Sequence, residues 1–170
     1  MYMTKTEVLL KLPAEWKKSI NITKTCSKHH GIPALSNRKK LENHCGLCTA
    51  CLLRQISVLN SNLEKYDSNY ILPPSVISKD EVIKYEKEIC KPGKETQIVN
   101  YGTYKFLEKK SLLEYYKRYS KLIDNGKIYN YLDINPIYFE DENYFKMIDI
   151  MLKKFKKEID NYFKTYGGNL

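Results

Sequence analysis

The chain has 170 residues, 42% of them hydrophobic, with 29 Lys and Arg against 20 Asp and Glu for a formal net charge of +9. That is enough apolar material for one domain, or one and a half, and too much for a disordered chain. No run approaches the roughly 18 to 20 uninterrupted apolar residues of a membrane span, and MYMTKTEVLLKLP lacks the apolar region and small-residue cleavage site of a secretory signal, so a soluble cytoplasmic protein without a membrane partner is expected.

Residues 4 to 20 carry a helical pattern. Thr4 and Glu7 stand at the capping-box spacing, in which each side chain satisfies an orphan backbone donor of the other residue, and Val8, Leu9 and Leu12 follow on the apolar side. Pro13 should stop or kink that helix. From Ser19 to Asn43 the text is loop-like and basic, with Gly31, Pro33 and the run Arg38-Lys39-Lys40. HCGLCTACLLRQ comes next, and Leu52, Leu53, Ile56, Leu59 and Leu63 recur at spacings of three and four, which predicts a helix from Cys51 to about Tyr66.

Pro73-Pro74 forces extended backbone, and a boundary is expected there between a segment 1–70 and a helical extension 75–170. In the extension, Lys79 to Lys91 reads as a helix, and TQIVNY, 96–101, is the one stretch that could pass for a strand. Two longer helices follow, Thr103 to about Asp124, closed by Asn125-Gly126, and Glu140 to Tyr166, acidic at its start and lysine-rich later. In the last, Tyr144, Phe145, Ile148, Met151, Leu152, Phe155, Ile159, Tyr162 and Phe163 form one apolar stripe, which core packing explains without a ligand. The fold class expected is therefore mainly α: a four-cysteine zinc knuckle with short helices, then a helical C-terminal extension.

The cysteines carry the chemistry. Cys45, Cys48 and Cys51 form C-x2-C-x2-C, a spacing that presents thiolates to one cation, and Gly46 permits the tight backbone such a knuckle needs. For the fourth tetrahedral position Cys26, nineteen residues before Cys45, is preferred over His29, His30 and His44. An odd count of five cysteines argues against a disulfide framework. A zinc with four thiolates is coordinatively closed, so its expected role is structural and catalysis is not expected at it. Cys90, in EICKPG, reads as a half-buried apolar residue rather than a nucleophile.

TCSKHHG, a basic loop and then HCGLCTACLLRQ resemble the zinc end of 7-cyano-7-deazaguanine synthase, the PP-loop ATPase family of queuosine precursor synthesis, in which a distant cysteine precedes C-G-x-C-x-x-C-x-x-R. On that resemblance Cys26, Cys45, Cys48 and Cys51 match the four zinc ligands, Gly46 the glycine and Arg54 the arginine after the last ligand. Lys5 and Glu7 match the K-x-E-[IV] helix upstream. The likeness covers about residues 4 to 65. The LLR variation and the long helical extension look more like the divergent synthase-like proteins of bacterial anti-phage defence, including the Qat system. The family's SGGxDS phosphate loop has no counterpart here: the chain has seven glycines, and its only adjacent pair is Gly167-Gly168. The resemblance therefore implies the C-terminal zinc-binding portion of such a protein, a fragment or a split subunit, with ATP entering only through a PP-loop domain in the same frame or in a separate partner.

In the family, ATP adenylates the carboxylate of 7-carboxy-7-deazaguanine, ammonia displaces AMP, and a second round dehydrates the amide to a nitrile. On this reading Arg54, Arg38, Lys39 and Lys40 face phosphate or substrate, although Arg54 also suits a helix-surface or thiolate-bonding role. The alternative is a stand-alone, zinc-dependent nucleic-acid-binding module. Residues 1–70 hold 11 basic and 5 acidic side chains, and of the 15 tyrosines Tyr2, Tyr66, Tyr70 and Tyr101 look placed to stack on bases. A lysine-rich coding bias accounts for the same charge, and a third option is a structural partner that docks its helices on another protein.

Overall fold

The computed structural model describes residues 3–23, 44, 46, 48–70, 74–75, 78–89, 92–128 and 142–167. The chain is mainly helical, as expected: α1 is Lys5–Lys11, α2 Ala14–Lys17, α3 Thr49–Asn60, α4 Lys79–Ile89, α5 Glu95–Asp124 and α6 Glu142–Tyr166. Among the described residues there is no strand, only an isolated parallel bridge between His44 and Tyr70.

Local chemistry sets the helix ends. The capping box opens α1: the Thr4 hydroxyl accepts from the Glu7 amide at 3.2 Å, and the Glu7 carboxylate accepts from the Thr4 amide at 3.0 Å. Pro13 then separates α1 from α2, and a 3-10 turn at Ile20–Ile22 ends this N-terminal run. Helix α3 stops earlier than its leucine spacing predicts. Asn62 adopts a left-handed φ of 55°, the Leu63 amide returns to the Val58 carbonyl, and Glu64–Tyr66 forms a separate 3-10 turn. Ser78 and Glu81 repeat the capping-box exchange at the start of α4.

The stretch 96–101, which could pass for a strand, is helical: these residues lie within the first two turns of α5, which runs alongside α4. Only Thr96, Ile98, Val99 and Tyr101 favour a strand, and that preference depends on context, so a continuous helix packed on a neighbour outweighs it. At the other end of α5 the turn closes on Gly126, at φ 65°, as the Asn125-Gly126 pair implies.

Among the described residues one core cluster draws on both sides of the expected boundary. Leu52 and Ile56 from α3, Leu113 and Tyr116 from α5, and Ile159 and Tyr162 from α6 form one buried cluster, with Phe155 and Phe163 packed against it. Ile148 and Leu152 of α6 meet Ile123 and Ile128 in a second cluster, so the apolar stripe of α6 is core along its length. A third joins Ile20, Val58 and Leu63. Polar contacts reinforce the same union. The Asn60 amide donates to the Glu158 carbonyl at 3.0 Å, the Thr4 hydroxyl donates to the Glu158 carboxylate, and Glu7 pairs with Lys154.

Because α3, α5 and α6 share one core, Ile56→Ala should destabilise the whole chain by about 2–5 kcal/mol and leave a single unfolding transition in urea. Two resolved transitions would show that residues 1–70 and 75–170 fold apart. Glu158 supplies a second check. Burial raises its carboxyl pKa above the ordinary value, and the Thr4 hydroxyl only partly offsets this. The folded state therefore binds more protons than the unfolded one between those two values, so the Glu158 contribution is fully present below the unfolded pKa and is lost as pH rises through the folded pKa. Glu158→Gln should flatten the stability profile across that window relative to the parent protein, as followed by urea denaturation at stepped pH.

Candidate metal centre

Cys48 and Cys51 lie at the N-terminal end of α3, Cys48 as its N-cap residue and Cys51 in its first turn. Both are buried, with relative exposures of 3% and 0%. A spacing of three at a helix start turns both side chains to one side. Gly46 stands just before, with φ 77°, a left-handed conformation that a side chain disfavours. Gln55 links this turn to the C-terminal helix. Its side-chain amide donates to the Gly46 carbonyl at 3.4 Å, and its oxygen accepts from the Tyr162 hydroxyl at 2.7 Å in a buried setting.

Below the cysteines sits a buried arginine. Arg54 Nε donates to Asp67 Oδ1 at 2.7 Å, and Nη2 lies 2.6 Å from the same oxygen. Nη2 also donates to the Ile20 carbonyl at 2.7 Å, and Nη1 donates to the carbonyl and hydroxyl of Thr23 at 3.0 and 2.6 Å. The Arg54 and Asp67 side chains are each only 6% exposed. Asp67 is itself satisfied, accepting from the Ser68 amide at 2.8 Å and the Tyr70 hydroxyl at 2.5 Å. One guanidinium thus joins the end of the N-terminal run, the middle of α3 and the segment after it.

His44 completes the arrangement. Its Nε2 lies 3.2 Å from the Thr23 carbonyl that Arg54 also engages, and its ring stands 5.7 Å from that of Tyr70. Nδ1 is buried and meets no hydrogen-bond partner among the described residues. Burial, then the Arg54 charge, lowers the His44 pKa, which favours the neutral ring; if Nε2 donates to Thr23, the lone pair remains on Nδ1. Burial and Asp67 hold the Tyr70 phenol well above its ordinary pKa, so it remains a donor.

Of the residues singled out by sequence, Cys48, Cys51, Gly46, His44 and Arg54 come together here. Cys26, Cys45, Cys90, His29, His30, Arg38, Lys39 and Lys40 lie outside the described residues. Among the described residues no three His, Cys, Asp or Glu side chains group as a metal site. Arg54 is buried rather than on a helix surface, with all three guanidinium nitrogens engaged by the protein. Tyr66 packs against the Ile20 cluster and Tyr70 bonds Asp67, so neither stands free as a stacking platform. Sequence reasoning passed over Thr23 and Asp67, and gave Tyr70 a different role. Asp67 follows Arg54 by thirteen residues, and no local periodicity links them.

Removing Arg54 leaves the Asp67 carboxylate and two carbonyls buried without their donor. Arg54→Met should cost about 3–5 kcal/mol in urea denaturation. Arg54→Lys should recover only part of it, because one ammonium cannot reproduce the planar fork that meets Asp67, Ile20 and Thr23 together.

Compared with protein-family models, curated proteins and solved structures, the chain matches none.

Proposed function

We propose that residues 1–70 form a structural zinc module and that the chain is the C-terminal, zinc-binding portion, fragment or split subunit, of a 7-cyano-7-deazaguanine synthase-like protein. The observation that carries the zinc reading is the closure of Thr23 against His44 over the Arg54 guanidinium. Cys26 follows Thr23 by three residues, a stretch of chain that spans at most about 11 Å, and Cys45 adjoins His44. The two cysteines beyond the described residues are therefore tethered to the same hub that supports Cys48 and Cys51. Buried thiols at a helix start, a left-handed glycine before them and a rigid support beneath suit a four-thiolate zinc.

Cys26, Cys45, Cys48 and Cys51 would hold that zinc. Its contribution is to folding, since four thiolates leave no position for water or substrate. Arg54 then acts as the foundation of the module. The synthase reading rests on the motif spacing together with this geometry, and it assigns ATP and any carboxylate activation to a PP-loop domain in the same frame or in a partner; service in anti-phage defence belongs to the same proposal. The nucleic-acid alternative loses two of its four candidate stacking residues, Tyr66 and Tyr70, to the fold.

Purified chain should contain one zinc per molecule by elemental analysis, and Cys48→Ser should lose the metal and melt at a markedly lower temperature. Full zinc content and an unchanged melting profile in that variant would refute the ligand assignment. The synthase reading has its own test in calorimetry. Binding of ATP or 7-carboxy-7-deazaguanine that appears only when a PP-loop partner is added supports it; salt-sensitive RNA binding by the isolated chain, with no effect of the partner, contradicts it.

A further inference from the structure

On the side of α3 that carries Arg54, Ser57 and Val58, a concavity of about 690 Å³ opens between α1, α2 with its following turn, and α3. Helix α1 turns Lys5, Val8, Leu9 and Leu12 into it, a spacing of three, four and seven that is one complete face of the helix. Trp16, Ile20 and Ile22 close it. This apolar lining is open to solvent where buried surface is expected: Val8 is 45% exposed, Trp16 64% and Ile22 74%.

We propose that this groove is a docking site for an acidic amphipathic helix of a partner protein. Helix α1 offers an apolar row to the trough and α3, in contact with it, lines it with Arg54, Ser57 and Val58, so that the two make a seat into which a third helix lays its own row. Charge selects the sign of that helix. Among the described residues no carboxylate lines the groove, Lys5 stands exposed at its wall, and beside Trp16 the exposed Glu15 is outnumbered by Lys17 and Lys18. The nearby Glu7 is paired with Lys154, and Arg54 is paired with Asp67. A flat lipid surface fits less well, because it would leave a concavity of this size unfilled. The inference is independent of the synthase reading, since it uses neither the zinc nor ATP.

Trp16 is the sole tryptophan of the chain, so the groove carries its own reporter. The probe is a synthetic helix with leucines at spacings of three and four and glutamates on its remaining positions, titrated into the full chain. Trp16 emission should be red-shifted and acrylamide-quenchable in the free chain and should show a saturable blue shift on titration. Val8→Asp, at a solvent-exposed wall position, should weaken binding by about tenfold or more, and Lys5→Glu by about threefold to fivefold, with the parent melting temperature retained in both. Equal binding of a lysine-for-glutamate version of the peptide would overturn the proposal. A blue shift with phosphatidylserine vesicles but not with the peptide would also overturn it, in favour of a membrane surface. So would Trp16 emission already blue-shifted and shielded in the free chain, which would mean that the protein's own residues fill the groove.

Discussion

The structure depends on one buried charge. A guanidinium cannot remain in a protein interior without partners, because losing its hydration costs several kcal/mol, so the chain around Arg54 must supply acceptors in a fixed geometry. It does so from three separate places: the Ile20 and Thr23 carbonyls, the Thr23 hydroxyl and the Asp67 carboxylate. Each acceptor is pinned in turn. The Thr23 hydroxyl donates to the Ile20 carbonyl at 2.7 Å, and Tyr70 fixes the far oxygen of Asp67. The result is a small polar hub that holds Thr23, three residues before Cys26, against His44, next to Cys45.

Around this hub the apolar helices do the bulk work. Leu52 and Ile56 enter the main core from the side of α3 opposite to the groove, while Val58 joins Ile20 and Leu63 in a smaller cluster near the hub. The helix bearing the cysteines is thereby held on one side by hydrophobic burial against α5 and α6, and on another by directional hydrogen bonds. Gln55 connects the two, reaching from Gly46 near the cysteines to Tyr162 in the core. A metal centre built on such a helix begins with its ligands oriented, which is what a closed, structural site requires. The long C-terminal helices thus form part of the body that supports the cysteine turn.

Much of this was legible in the sequence where the signal is local. The Thr4–Glu7 box, the Pro13 break, the Gly126 turn and the apolar stripe of α6 all follow from near-neighbour spacing, and the helical class follows with them. What spacing cannot reveal is a partner far along the chain. Arg54 reads as a surface or phosphate-facing cation because nothing adjacent announces Asp67 or Thr23. Tyr66 and Tyr70 read as free because they follow the leucine pattern, whereas one packs on the Ile20 cluster and the other serves Asp67. TQIVNY fails for a related reason: its β-branched and aromatic character is a weak preference, and the packing of α5 along α4 decides the outcome. Pro73-Pro74 marks a break in the sequence pattern, but the core that joins α3 to α5 and α6 leaves no trace in composition.

On the proposed function, the hub presents thiolates to a zinc. Zinc K-edge X-ray absorption on the purified chain tests it most directly, because it reads the ligand atoms rather than their consequences. The expected result is bound zinc in a shell of four sulfurs at about 2.3 Å. A protein without stoichiometric zinc, or a shell made mainly of nitrogen and oxygen, would contradict it.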